Sequence, residues 1–387
     1  MLKNKFYLGL LSVSLFFSCT NEQTEIASLK KQEKEKAHIC TEMELPASKL
    51  KAASLTSKRW APGTVIRVKF LNGTTFLQTK VIQFASQWLP YANVEFQFVA
   101  STANADIKIN FDNSGSSWSY IGVDCQSIAQ NAASMNYGWF TSSTSDVEFS
   151  RTVIHEFGHA LSLIHEHQSP AANIPWNKTA VYAYYAGAPN YWNAATVDVN
   201  IFAKYSATQT NFTSFDAQSI MLYSISASLT TNGYSVGSNT TLSATDKSFI
   251  TQIYPFGNLK RFYRYYIYNH HFYTSNFNEL GYTGFESILG KIYNTQVSGT
   301  SPIYRYYNTK NGDRLSTLNY NELKGGGNGW SYEGVSGYAF ASNVAGTIPV
   351  YRYYGSYGDH FYTTNYNELG GGRSGYTYEG VAFYILP

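Results

Sequence analysis

The run His155-Glu-Phe-Gly-His159-Ala-Leu-Ser-Leu-Ile-His165-Glu166 constrains this chain more than any other stretch. Four residues apart on a helix, His155 and His159 project from one face and can bind one ion. Glu156 sits one position on, close enough to reach a water held there. Zinc lowers the pKa of bound water to about 7, and a neighbouring carboxylate then completes the nucleophile as general base. His165 lies six residues past His159, a rotation of about 600° in a continuous helix, which would turn it away from the ion. The spacing therefore predicts a helix that stops near Ser162 and a chain that doubles back to deliver a third nitrogen to one catalytic Zn2+. The bland alternative is a chance H-E-x-x-H on a surface helix. Four of the chain's eight histidines fall between 155 and 167, which counts against it.

The remainder of the chain sets compartment and organisation. At 387 residues and 44% apolar, it can build more than one core. A net charge of +3 is too mild for a nucleic-acid partner, and no basic run of the kind that tracks phosphates is present. Lys3 and Lys5 precede the apolar run Phe6 to Phe17, then Ser18 and Cys19, which reads as an export signal too short to span a membrane. A small residue before cysteine, followed by Thr20-Asn21-Glu22-Gln23, resembles the lipobox of bacterial lipoproteins, with Phe16 where leucine is usual. The alternative is a plain secretory signal cleaved nearby. Residues 1–19 are thus expected to be a signal peptide with Cys19 as lipidation site. The protein would leave a bacterial cell, secreted or lipid-anchored at the surface, with that anchor its membrane contact.

Residues 20–58 are charged and poor in aromatics, and read as a leader or propeptide. Three cysteines are too few for a disulfide scaffold. Within the leader, Cys40 offers a thiolate, a soft zinc ligand able to fill the position that catalysis leaves for water. An idle thiol, or a disulfide from Cys40 to Cys125, is the alternative.

Residues 59–256 read as the catalytic domain. Trp60 to Phe70 alternates after a Pro-Gly turn and predicts a first strand. Thr79 to Leu89 predicts a helix, and Val94 to Val99 and Asp106 to Phe111 two more strands, giving a mixed twisted sheet with helices against it. Ser119-Tyr120-Ile121-Gly122 with Ser134-Met135-Asn136-Tyr137-Gly138-Trp139 resembles the segment preceding the zinc helix of bacterial astacin-like peptidases. Asp216-Ala-Gln-Ser219-Ile220-Met221-Leu222-Tyr223 resembles the astacin Met-turn, and Leu242-Ser243-Ala-Thr-Asp246 the closing helix.

That resemblance implies an α+β metzincin-type zincin. His155, His159 and His165 become the zinc ligands, Glu156 the base and proton shuttle, and Met221 the hydrophobic floor of the Met-turn. Tyr223 would be a resting ligand that swings to stabilise the oxyanion, and Glu166 a support of the lower subdomain. The cleft-edge strand, which would pair with an extended protein or peptide substrate, falls between Asn113 and Gly138. Cys40 resembles the cysteine switch of other metzincin zymogens, although its neighbours do not match the matrixin motif. Two departures stand out. The family has glycine at Ser162, where a positive φ lets the chain turn. After Glu166 this chain continues His167-Gln168-Ser169-Pro170 where animal members have an arginine and acidic pair, and His167 reads as exposed or as a neighbour of the ligands.

Residues 257–387 repeat three times. Phe262-Tyr-Arg264-Tyr-Tyr266, Ile303-Tyr-Arg305-Tyr-Tyr307 and Val350-Tyr-Arg352-Tyr-Tyr354 each run on to an Asn-Glu-Leu, at Asn278, Asn321 and Asn367. The segment holds 22 of the chain's 34 tyrosines. Alternating aromatic strands between Gly/Asn turns predict an all-β domain, and three copies fit a β-trefoil of about four strands per copy better than a propeller. The pattern resembles a repeat at the ends of many secreted bacterial hydrolases. The rings either take a glycan or cell-wall ligand or simply pack a small core. His271 and His360, with Arg314 at the third equivalent place, are not expected to bind metal. The sequence thus reads as an exported zinc metalloendopeptidase made as a zymogen. The rival is a surface or glycan-binding protein whose repeats carry the function and whose protease domain is vestigial.

Overall fold

The computed structural model describes residues 39–43, 57–187, 190–207 and 210–387. The signal segment with Cys19, and most of the leader, lie outside these. Among the described residues no helix is long and apolar enough to cross a membrane.

The catalytic region is built on a six-stranded sheet, in the order β1-β5-β6-β4-β2-β3. Its strands are β1 (Ile39–Met43), β2 (Val65–Phe70), β3 (Glu95–Phe98), β4 (Ile107–Phe111), β5 (Ser116–Tyr120) and β6 (Met135–Tyr137). β5 runs antiparallel to β6, and every other neighbouring pair is parallel. The alternation in β2 buries Ile66 and Val68 and exposes Val65, so one sheet face can seat helices.

Helix α1 (Thr75–Ala85) starts four residues earlier than the apolar spacing predicts, because the Thr74 hydroxyl caps it by accepting from the Leu77 amide at 3.4 Å. A short 3-10 turn carries the chain on to Trp88. Leu77, Val81, Phe84 and Trp88 then join Phe149, Val153 and Phe157 of α2 (Asp146–Ala160) in one core. Below α2 lies a second, smaller core around α3 (Lys178–Ala186) and α4 (Ala194–Val197), in which Val181, Tyr185, Val197, Ile201 and Leu229 are buried. Helix α5 (Ala244–Ile253) closes the region through a capping box between Ser243 and Asp246.

Beyond Phe256 the chain is all-β. Strands β7 (Leu259–Ile267), β8 (His270–Thr274) and β9 (Phe285–Tyr293) form the first copy. The second has β10 (Thr300–Asn308), β11 (Arg314–Thr317), the two-residue β12 (Gly326–Gly327) and β13 (Trp330–Phe340). The third has β14 (Ile348–Gly355), β15 (Asp359–Thr363) and β16 (Tyr376–Ile385). In every copy the first strand pairs antiparallel with both others. The units therefore carry three principal strands, one fewer than the trefoil expectation. Phe262, Ile303 and Val350, equivalent in the three copies, meet in one core. Around it each arginine joins its own copy to the preceding one. Arg305 contacts Glu333 at 2.9 Å and Glu279 at 2.8 Å, Arg352 contacts Glu379 at 2.9 Å and Glu322 at 3.0 Å, and Arg264 contacts Glu286 at 2.9 Å and Glu368 at 3.0 Å.

One buried cation fastens this domain to the catalytic one. Arg261 donates to the carbonyls of Leu89 (2.8 Å), Ala92 (3.3 Å) and Val94, beside β3. That edge of the sheet is the one farthest from β1 and β5. Replacing Arg261 by Met keeps apolar bulk but leaves three carbonyls without their donor, a loss of about 1–3 kcal/mol. Scanning calorimetry of the full chain should show a lowered or split transition for Arg261→Met, and an unchanged trace would refute this docking role.

Burial raises the carboxyls of Glu279 and Glu368, but hydrogen bonds from Arg305 and Thr274, and from Arg264 and Thr363, outweigh it and hold both below the usual range. Groups lowered in the folded state stabilise above their unfolded pKa, about 4.3 for glutamate, and the contribution is lost as pH falls through the folded value. Acid titration followed by aromatic circular dichroism should show the β domain loosening below about pH 4, with Arg305→Gln moving that loss to higher pH.

Candidate metal centre and cleft

Helix α2 delivers the first two histidines. Ser145 caps it by accepting from the Glu148 amide at 3.3 Å, and Asp146 and Glu148 place negative charge in its first turn. The indole N–H groups of Trp60 and Trp88 donate to the carbonyls of Ala160 (2.8 Å) and Ile154 (2.9 Å), bracing the helix from the sheet side.

The helix ends where the spacing of His165 demands. Ser162 takes φ +69°, its amide donates to His159 O at 2.8 Å, and the Leu163 amide donates to Gly158 O at 2.9 Å. These two bonds are the Schellman motif, here with serine in the left-handed position that glycine usually fills. The Ser162 hydroxyl donates to Lys58 O at 2.7 Å, which helps hold the strained residue. Gly122 lies against it, and a Cβ there would stand 1.9 Å from Lys58 O and 2.3 Å from Ser162 Oγ. That close approach excludes any side chain at 122.

The turn brings all three imidazoles together. His159 Nε2 lies 3.2 Å from His155 Nε2 and 3.1 Å from His165 Nε2. Tetrahedral zinc with bonds of 2.0–2.1 Å needs about 3.3 Å between its nitrogens, so these donors fit such an ion. Nδ1 of His155 faces the Ile220 carbonyl at 2.8 Å, and Nδ1 of His159 that of Leu163 at 2.9 Å, which fixes the tautomers with Nε2 free to ligate. Burial, and after it the neighbouring ring of His159, holds His155 and His165 well below the usual imidazole range, and burial lowers His159 to about 4. Neutral rings are what metal ligation requires.

Glu156 is fully buried beside this triad. Beneath the histidines lies Met221, whose sulfur would be 2.4 Å from a Cβ on Gly158, so the glycine inside the motif is a packing requirement. The turn carrying Met221 hangs from Asp246, whose two oxygens accept from the Ser219 hydroxyl (2.7 Å) and the Ile220 amide (2.8 Å). Glu166 accepts from the Asp216 amide at 2.8 Å and ties the third ligand to the same turn. Burial raises its carboxyl to about 7.

Tyr223 lies over the site, its ring 4.2 Å from that of His165 and tilted by 47° to it, and its hydroxyl donates to the carbonyl of Cys40. His167 is buried, not exposed. It bonds Asn200 O at 2.8 Å, and its ring stacks 5.3 Å from that of His165 and lies 5.0 Å from that of Tyr223.

β1 pairs with β5 in parallel, Cys40 opposite Ser117. Ligand atoms of Cys40, His155 and Glu156 all lie within 4.8 Å of one another. Cys40 and Cys125 are both buried and unbonded to each other, so the disulfide alternative is excluded here. Burial, then the charge of Glu156, pushes the Cys40 thiol well up, and burial pushes Cys125 to about 12.

Arg151, unremarked in the sequence, lines the cavity beside His155 and Tyr223. Its guanidinium is held by Glu148 at 2.9 and 2.6 Å. The signal was its position one turn before His155 on the same helix face.

A helix-borne histidine pair, a third histidine past a Schellman turn, an adjoining glutamate and a methionine floor define a metzincin-type zinc peptidase site. The chain resembles three solved structures, the first of which supports the same class. Myroilysin is 56% identical over 51% of this chain and 96% of its own, with a TM-score of 0.50. A second myroilysin structure is 52% identical over 57% of this chain and 92% of its own, with a TM-score of 0.45. Matched at 16% identity, over 55% of this chain and 98% of its own with a TM-score of 0.37, is high choriolytic enzyme 1, a hatching enzyme zinc-protease from Oryzias latipes (medaka fish). The chain belongs with myroilysin to the astacin family of metalloproteases. Residues 258–386 match the model of a domain of unknown function (DUF5648). No curated protein matches the chain.

The turn at residue 162 gives a measurable test. Ser162→Ala loses the bond to Lys58 O while keeping the left-handed strain, and should cost about 1 kcal/mol. Ser162→Gly loses the same bond but relieves about 1–2 kcal/mol of strain, so it should be the more stable of the two. Ser162→Val, β-branched at positive φ, should also lower bound zinc. Denaturant unfolding and metal analysis check all three, and an alanine variant more stable than the glycine one would contradict the account.

Proposed function

We propose that the chain is an exported zinc endopeptidase, made latent by its own leader, that hydrolyses internal peptide bonds of proteins. The convergence of three neutral, buried imidazoles beside a buried glutamate carries this reading. The signal-like residues 1–19 support export. Zinc held by His155, His159 and His165 would supply Lewis acidity, polarising the scissile carbonyl and lowering the pKa of water.

The chain's own groups then do the proton and charge handling. Glu156 takes a proton from the attacking water as the C–O bond forms, and gives it to the amide nitrogen as the C–N bond breaks. The Tyr223 hydroxyl, once clear of the Cys40 carbonyl, donates to the carbonyl oxygen as its charge develops. β5 offers backbone groups to an extended substrate, and Arg151 and Tyr184 border the cavity beyond the scissile bond.

Latency is read from the same geometry. β1 occupies the edge of β5 that a substrate strand would need, and sets Cys40 among His155 and Glu156. A thiolate at that place would add its sulfur to the donors of a bound divalent ion, whose charge would favour the deprotonation that burial alone opposes. Removal of the leader would free the strand edge, the fourth position and Tyr223 together.

Three measurements test this. Leader-free protein should digest casein, lose activity to 1,10-phenanthroline and regain it with zinc; chelator-insensitive cleavage would exclude the zinc mechanism. Glu156→Gln should lower kcat by about 10³-fold or more, and Tyr223→Phe by about 10²-fold with KM little changed. In the purified precursor, Cys40→Ser should raise activity before leader removal, and a variant as latent as the parent would exclude the thiol plug.

A further inference from the structure

The three copies of the β domain carry the same aromatic cluster, covered in one copy and open in the other two. In the second copy the Tyr304 and Tyr320 rings lie 5.1 Å apart at 63°, and Tyr320 and Tyr332 6.2 Å apart at 87°. In the third, Tyr351 and Tyr366 lie 5.1 Å apart at 60°, and Tyr366 and Tyr378 5.8 Å apart at 82°. The first copy repeats the geometry with Tyr263 and Phe277, 5.4 Å apart at 58°.

Only the first cluster is covered. Tyr263 is buried, Phe277 meets Tyr91 of the catalytic region, and both rings line a cavity closed from the other side by Val65 and Glu95. Where this cluster has Phe277 and Phe285, the other copies have tyrosine, and Tyr320, Tyr332 and Tyr366 are each more than 40% exposed. The loops differ in the same sense. The first copy has Gly281-Tyr282-Thr283, with Tyr282 packed on Phe277 at 4.9 Å. The second and third have glycine triplets, and a Cβ on Gly325 would stand 2.7 Å from the Tyr320 hydroxyl. A side chain there would close over the tyrosine; glycine leaves it open.

The ring angles are nearly the same in the covered and uncovered copies, so what differs is access to the rings and not their arrangement. Exposed ring faces accept the C–H face of a pyranose, and rim hydroxyls bond its hydroxyl groups. Of the nearby charges, Arg352 pairs with Glu322 and Glu379 and Arg305 with Glu279 and Glu333, while exposed Lys324 and Arg373 flank the two glycine triplets, Arg373 donating to the Asn367 and Glu368 carbonyls.

We infer that the Tyr320 and Tyr366 clusters are two equivalent binding sites for pyranose units of a polysaccharide, while the first cluster is converted into the seat for the catalytic domain. Because that seat is on β3, at the sheet edge farthest from β5, polysaccharide binding would leave the peptidase cleft open. Two sites on one rigid domain bind a polymer with avidity, by a factor of about 10²–10⁴ over one.

The test is independent of peptidase activity and uses the full chain silenced as Glu156→Gln. The protein is mixed with cellulose, chitin, β-1,3-glucan or alginate, and depletion from solution is measured. Retention is expected on at least one of the four polymers. Tyr320→Ala and Tyr366→Ala should each weaken it, and the double variant should lower apparent affinity at least about 10²-fold, with Tm unchanged. Tyr268→Ala, which removes the most exposed tyrosine (93%) outside both clusters, should bind as the parent does. No retention on any of the four polymers, or equal retention of a folded double variant, would overturn the inference. Should the double variant not fold, nitration by tetranitromethane decides: the retained polymer's oligosaccharides must protect Tyr320 and Tyr366 in the parent, and unprotected rings reject the sites.

Discussion

The Schellman turn at Ser162 is the constraint on which the rest of the catalytic region depends. Without a reversal immediately after His159, the third imidazole faces away and the other two make an incomplete site. The reversal is bought with a left-handed serine, and the surroundings hold it: Lys58 O accepts its hydroxyl, Gly122 leaves room, and the Tyr254 hydroxyl donates to Leu161 O at 3.1 Å. Strain at a functional position is thus distributed over contacts from the start, middle and end of the region. Lys58 is the last residue read as leader, so one contact that supports the turn comes from the segment whose removal the proposed activation calls for.

Much of the site was legible in sequence because metal chemistry fixes spacing. Histidines four apart, a glutamate between them and a third histidine after a break have few other uses, and the structure brings His155, His159, His165 and Glu156 together. What the linear pattern did not carry were contacts made by chain reversal. Arg151 enters the cavity because α2 presents it there, and its ion pair with Glu148 looks from sequence like an ordinary surface pair. Asp246 was visible as part of a helix start but not as the peg that holds the Met-turn. His167 was read as exposed or as a neighbour of the ligands; it is a buried neighbour, its ring 5.3 Å from that of His165 and its Nε2 at Asn200 O, just beyond the end of α4.

The fold was legible to different depths for similar reasons. β2, β3 and β4 fell within a few residues of their alternating patterns, whereas α1 began early because a single hydroxyl at Thr74, not the apolar period, sets its start. The repeat domain was recognisable as all-β from its tyrosines, but strand number per copy depends on how each Gly-rich loop pairs. Only β12 forms there, so the copies hold three principal strands and not four.

The arginine–glutamate seams also decide how the repeat domain can change. Each of Arg264, Arg305 and Arg352 bridges to the preceding copy, and the third seam returns from Arg264 to Glu368, so the circuit is closed. A solenoid can gain or lose a unit at either end and keep its remaining interfaces. This assembly has no ends. Deleting one copy removes two seams at once and inserting one opens the circuit, so copy number is frozen at three while individual loops stay free to diverge, as the first copy has done in becoming a fastening surface.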